Sequence, residues 1–364
     1  MFKLKLKKPD GRALYLYSNH EMDADKIKPT NPVNDGAKAN PHMRWHPLRQ
    51  EWVVYASHRQ NRTFLPPKDY SPLKVTSDEK NPTEMPAGDY QVAVFENLFP
   101  SLIMGASARP ELSVETRPSE GVCEVVVFTK DPEGSLGELP LSHVKLVLEV
   151  LAERTVEIGK LEEIKYVMPF ENRGVEMGVT LHHPHGQIYS YPFIPPVQEI
   201  MLSAMKDHLS KTKTTLLETM IQAEIKDGAR VTFESEHAIA FVPVCARYPY
   251  ETWVAPKRRV SHLYELSGAE MKDFALVLKT TLMKFDRLWD KTFPYLMTLF
   301  QAPVDGPDYP YAHAFFQIFP PYRTKDRLKF LAGTELGAGI FINDSLPEEK
   351  AQELKSIKVE VKDE

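Results

Sequence analysis

Glu171-Asn172-Arg173-Gly174, then Gly178-Val179-Thr180-Leu181, then His182-His183-Pro184-His185-Gly186-Gln187-Ile188-Tyr189 is the stretch around which this chain is organised. Its second half has the pattern of a strand. Alternation of side chains puts His183, His185 and Gln187 on one face and Pro184, Gly186 and Ile188 on the other. Pro184 has no amide hydrogen, which predicts an edge strand or a locally irregular pairing.

Three chemistries compete for the face that carries the two imidazoles. Both histidines could be structural, bonded to backbone carbonyls. His-x-His on a strand also suits zinc or iron. The third is nucleophilic catalysis at His185, whose imidazole can attack phosphorus if its other ring nitrogen is tied to an acceptor that sets the tautomer. In that case Gly186 leaves room for a phosphate and the Gln187 amide donates to a phosphoryl oxygen. Asn172, Gly174 and Gly178, upstream, supply further small and amide-bearing residues. Only the third alternative uses all of these together.

At 364 residues the chain has room for one large or two ordinary domains, each with its own core. Lys and Arg number 45 against 50 Asp and Glu, a net charge of −5, so no global positive field favours nucleic acid. Any phosphate must be met by local groups. Cys123 and Cys245 lie in apolar, strand-like runs and are expected to be buried thiols in a reducing compartment. Met1 to Lys8 alternates apolar and basic residues, unlike a signal peptide, and no stretch is apolar for long enough to span a bilayer. A soluble, cytoplasmic protein is expected.

Along the chain, Phe2 to Leu6 and Leu14 to Tyr17 are expected strands around a Pro9-Asp10-Gly11 turn, and 19 to 42 a polar loop. Strands are expected at Glu51 to Tyr55, Gln91 to Phe95, Val122 to Thr129 and Ile164 to Phe170. An amphipathic helix is expected from Leu141 to Lys160. Gln198 to Ile225 is predicted as one long helix broken by Asp227-Gly228, with a boundary between two halves near Pro196. Beyond it come a strand pair at His237 to Pro243 and Glu251 to Pro256, a helix from Glu265-Leu266-Ser267 to about Trp289, and a strand from Tyr295 to Phe300. Residues from Pro347 onward are predicted as a charged helix or tail.

Glu-Asn-Arg-Gly followed by Thr-Leu-His-His-Pro-His-Gly-Gln-Ile-Tyr resembles galactose-1-phosphate uridylyltransferase, a branch of the histidine-triad superfamily, and the resemblance runs along nearly the whole chain. It implies an α+β fold of two tandem histidine-triad-like domains, mainly antiparallel sheet with flanking helices, over 1–196 and 197–364. It implies uridylyl transfer between UDP-glucose and galactose 1-phosphate through a covalent His185 intermediate, with His183 and Gln187 assisting. Asn172, Gly178 and Thr180 join the implied substrate-binding set. Arg59 and Arg62 become phosphate ligands, Phe95 packs on the uracil and Asn97 meets the ribose. In the segment Arg327 to Glu335, Lys329 meets a phosphate, Phe330 and Ala332 line the pocket, and Glu335 accepts from sugar hydroxyls. The family's partner subunit contributes this segment, which implies a homodimer with shared sites.

The resemblance also implies a repeat, with His313-Ala314-Phe315-Phe316-Gln317-Ile318-Phe319 arriving where His183 to Tyr189 did and Phe315 in place of the nucleophile. Zinc-bearing members carry a Cys-x-x-Cys within the region of residues 64 to 90. This chain has none, and of the zinc set only His183 remains. No structural zinc is therefore expected, with that region held by packing alone. Phe315, Gln317 and Gln301 stand where iron-binding members carry histidines, so no iron is expected either. Two other functions stay open: a nucleotidyl phosphorylase or hydrolase of ADP-sugars or dinucleoside polyphosphates, and a non-catalytic nucleotide-sugar binding protein.

Overall fold

The computed structural model describes residues 1–32, 39–61, 66 and 71–361. Arg62 lies outside the described residues. The first half contributes β1 (Phe2–Lys7), β2 (Ala13–Ser18), β3 (His42–His46), β4 (Glu51–Tyr55), β5 (Val92–Glu96), β6 (Thr116–Pro118), β7 (Val122–Val127), β8 (Tyr166–Arg173) and β9 (His185–Tyr191). The second half adds β10 (Val231–Glu234), β11 (Ala238–Phe241), β12 (Thr252–Pro256), β13 (Tyr295–Phe300) and β14 (Phe315–Phe319). Among the described residues eleven strands form one sheet in the order β1-β2-β5-β7-β9-β8-β13-β14-β12-β11-β10. The order is nearly a mirror about the β8/β13 seam, where Arg173 faces Tyr295 and Phe170 faces Thr298. Duplicated units therefore meet strand to strand.

β9 is an interior strand, flanked by β7 and β8, and not the edge strand that Pro184 suggested. Pro184 sits one residue before the ladder begins, so no ladder donor is lost. Its carbonyl accepts from the Phe128 amide at 3.1 Å. The polar 19–42 loop hides the start of a further strand: β3 pairs with β4 and β6 in a small separate sheet.

Helices α1 (Leu141–Ile158) and α4 (Gly268–Leu288) cover one face of the main sheet. The start of α4 follows from its residues: the Ser267 hydroxyl accepts from the Glu270 amide while the Glu270 carboxylate accepts from the Ser267 amide. Val144, Val147, Val150, Phe274, Leu278 and Leu282 are buried there with Val126, Ile188 and Phe316 of the sheet. Each large apolar side chain so buried stabilises the fold by roughly 1.5–3 kcal/mol.

The opposite face is covered differently in the two halves. Leu73, Met85 and Tyr90 of an irregular segment cover it in the first. In the second, α2 (Pro196–Thr212) and α3 (Leu216–Asp227) do so through Leu202, Met205, Leu217 and Ile221. The single long helix expected from Gln198 to Ile225 is thus two. Lys213, at φ 64°, takes the left-handed conformation that ends α2. The chain closes with α5 (Pro347–Ser356).

The segment before β5 is not held by packing alone. Lys8, 2 % exposed, bonds the Glu84 carboxylate at 2.9 Å, and Arg12 bonds both Glu84 oxygens, at 3.1 and 2.9 Å. Arg12 also reaches Asp10, so two cations and two carboxylates clamp the segment to the β1–β2 hairpin. Breaking a buried pair of this kind by removing one partner costs about 3–5 kcal/mol. Cys245 departs from expectation as well. It is exposed, in the connection between β11 and β12, while Cys123 is buried in β7.

Candidate active site

His185 opens β9, where the chain enters the sheet from the loop that follows β8. Its Nδ1–H donates to the His183 carbonyl at 2.7 Å, which leaves the lone pair on Nε2. Burial lowers the His185 pKa, so the ring is neutral near pH 7. His183 is itself anchored, its Nε2–H donating to the Thr129 carbonyl at 2.7 Å. Burial is the main reason that its pKa falls to about 4. A backbone carbonyl two residues beyond β7 thus orients His183, and the backbone of His183 orients His185. The two imidazoles do not share one strand face, because His183 lies in the bend before the strand.

A cleft of about 730 Å³ opens beside them. Its walls come from the His182 to His185 approach, the end of β8 at Glu171 to Gly174, the Pro132 to Ser135 loop, and Asp286 to Thr292 of the second half. Continuing the Phe170–Gln187 pairing of β8 with β9 sets Asn172 opposite His185. Asn172 donates to the Met177 carbonyl at 3.4 Å, and its buried Oδ1 has no partner among the described residues. Glu171 is buried at the cleft wall and accepts from the Tyr295 hydroxyl at 3.0 Å. Burial pushes its carboxyl up to about 7, against the opposing pull of Arg173. The Arg173 guanidinium bonds Asp286 at 2.8 and 3.0 Å, a tie across the seam.

Along β9 the face of His185 continues through Gln187 to Tyr189. Arg59 is brought onto this face, bonding the Tyr189 hydroxyl at 3.1 Å and the Phe99 carbonyl at 2.8 Å. Asn97 accepts from the Phe99 amide at 2.8 Å, so it shapes the turn that presents that carbonyl. Tyr189 escaped sequence reasoning although it lies two residues beyond Gln187 in the same alternating run.

Among the described residues no three His, Cys, Asp or Glu side chains converge on one point. The Nε2 of His183 is spent on Thr129, that of His313 on the Pro256 carbonyl at 3.0 Å, and the Gln301 amide on Thr155 and the Val167 carbonyl.

Residues 30–195 match the family described as galactose-1-phosphate uridyl transferase, N-terminal domain, and residues 201–364 match its C-terminal domain. The chain belongs to the galactose-1-phosphate uridyl transferase family. A galactose-1-phosphate uridylyltransferase of Thermotoga maritima is 38% identical over 324 residues, 88% of this chain and 99% of that protein. A solved uridylyltransferase shares 31% identity at a TM-score of 0.77, covering 86% of this chain and 97% of its own. The ADP-glucose phosphorylase of Arabidopsis thaliana is 26% identical over 342 residues, 87% of this chain and 93% of that protein.

Not all residues of the implied substrate-binding set line the cleft of their own chain. Phe95 is 1 % exposed in the core with the Lys8 ammonium 4.9 Å from its ring centre, so its face is not available to a uracil. Gly186 is needed for packing and not for phosphate approach: a Cβ there would lie 2.8 Å from the Phe128 ring and 2.9 Å from the Phe170 carbonyl. Gly178 ends a short turn at φ 74°, and Thr180 follows between the cleft-lining Val179 and Leu181. Lys329 and Glu335 are buried and paired with each other at 3.0 Å, and neither lines the cleft. Ala332 donates its amide to Glu335 at 3.1 Å, and Phe330 is 72 % exposed. No helix among the described residues is long and apolar enough to cross a membrane.

Proposed function

We propose that this protein exchanges UMP between UDP-glucose and galactose 1-phosphate, with His185 carrying the uridylyl group between the two half-reactions. The observation that carries this reading is the 2.7 Å bond from His185 Nδ1–H to the His183 carbonyl, which leaves the lone pair on Nε2 of a ring that lines the cleft. Nε2 attacks the α-phosphorus, the bond to the bridging oxygen breaks, and glucose 1-phosphate leaves with that electron pair. The substituted ring is cationic, and the His183 carbonyl facing Nδ1–H stabilises it. A phosphate oxygen of galactose 1-phosphate then attacks phosphorus and the N–P bond breaks, which restores the neutral ring. The leaving group is already a phosphate, so neither step needs a general acid or a resident metal. Gln187 and Arg59, on the same face as His185, meet the phosphoryl oxygens.

The hexose end of the site comes from a second copy of the chain. Supporting this, the Lys329 to Glu335 segment lies away from the cleft of its own chain, and Phe330, Leu336 and Ile340 leave it with an exposed apolar surface. Both cysteines are free thiols, in keeping with a reducing, cytoplasmic setting.

Incubation with UDP-glucose followed by intact-mass measurement tests the reading. The expected result is a gain of one uridylyl group, lost again on adding galactose 1-phosphate. Labelling by ADP-glucose alone would move the assignment to a phosphorylase. Turnover without any labelled protein would remove the covalent step.

A further inference from the structure

The outermost strand, β10, lies six strands from β9, roughly 29 Å away at about 4.8 Å per strand. A cavity of about 370 Å³ opens there between β10, α4 and the chain beyond α5. At its base is Lys284, 5 % exposed, whose Nζ donates to the Thr232 carbonyl at 3.1 Å and the Leu354 carbonyl at 3.0 Å. An ammonium has three N–H donors, so one is left over. No carboxylate among the described residues offsets the charge: burial first, then repulsion from Lys358 and Lys355, lowers the Lys284 pKa.

Lys355 and Lys358 line the same cavity and are exposed at its mouth. Glu234 also lines it, but its carboxylate is paired with Lys257 at 3.0 Å. One helical turn before Lys284, Thr280 is 2 % exposed, and its Oγ1 has no partner among the described residues. Ile225, Val231 and Ile357 supply apolar wall. Capping of the α5 C-terminus explains the Lys284 bond to Leu354. Lys355 makes a long bond, 3.4 Å, to the Gly228 carbonyl; the cavity, the orphan hydroxyl and Lys358 are left without a role.

We propose that this cavity binds a small organic phosphate, with Lys284, Lys355 and Lys358 neutralising the phosphate and Thr280 donating its hydroxyl. The volume exceeds that of a bare anion and leaves space for an organic body against the apolar wall.

Calorimetric titration with glycerol 2-phosphate, at ionic strength held constant with sodium chloride, tests this on the full chain. Saturable binding is expected in the unaltered protein and in His185→Phe. The surface double variant Lys355→Ala/Lys358→Ala is expected to weaken it at least tenfold with uridylyl transfer unchanged, and Thr280→Val by a smaller factor. Binding that survives the double lysine change, that vanishes in His185→Phe, or that chloride displaces equally well overturns the proposal.

Discussion

The two halves of this sheet place a histidine at the same point and then part company two residues later. His183 bonds the carbonyl of Thr129 beyond β7, and His313 bonds the carbonyl of Pro256 at the end of β12. Both rings keep a buried Nδ1 without a partner among the described residues, and burial lowers both pKa values to about 4. Two residues on come His185 in β9 and Phe315 in β14. His185 borders an open cleft. Phe315 is 1 % exposed, its ring 5.1 Å from that of Trp253 and 5.4 Å from that of Phe300, under α2 and α3. The first histidine of each half is therefore held by a backbone carbonyl, and the halves differ at the second position, which borders a cleft in one and lies in the core in the other.

The largest test of this contrast makes the first half resemble the second. His185→Phe should cut glucose 1-phosphate release from UDP-glucose by roughly 10⁴-fold or more, the scale of removing a catalytic nucleophile. The melting temperature should stay near that of the parent. Retention of even a hundredth of the activity would break the comparison.

Next in size, Phe315→Ala should lower stability in urea unfolding by about 3–5 kcal/mol through the cavity it leaves. Activity of the protein that remains folded should be preserved. A loss of activity beyond the loss of folded protein would mean that the second half does more than support the first.

The smallest effect concerns Glu171. Its pKa is raised from 4.5 to about 7, so the folded state holds this proton more tightly than the unfolded chain does. The associated stability is complete below about pH 4.5 and is lost as pH rises through 7. Glu171→Gln should therefore match the parent's pH trend in acid and gain on it by about 3 kcal/mol by pH 8. Unfolding curves across that range check this, and a difference independent of pH would contradict the assignment.

Much of this fold was legible because its signals are local. Phe2, Leu4 and Leu6 alternate as β1 does, Glu265-Leu266-Ser267 leads into the start of α4, and Tyr295 to Phe300 is β13 to the residue. The break at Lys213 was not legible, since a lysine in the left-handed conformation carries no composition signal. Neither was the interior position of β9, because Pro184 falls one residue outside the ladder. Of the expected site residues, His185 and Asn172 line the cleft, and Arg59 bonds Tyr189 four residues along β9 from His185. Phe95 is buried beside Lys8, and Lys329 and Glu335 pair with each other away from the cleft of their own chain.

The order of amino acids was enough to single out the imidazole at position 185 and to require an acceptor for its second nitrogen. Those properties depend on residue type and on the two-residue period of a strand. Only the folded chain decided which sheet face stays open, which strand lies inside, and which charges are already spent, as in Lys8–Glu84–Arg12 and Lys329–Glu335. Burial and hydrogen-bond partnership are set by segments that meet in space, and no local pattern records which segments will meet.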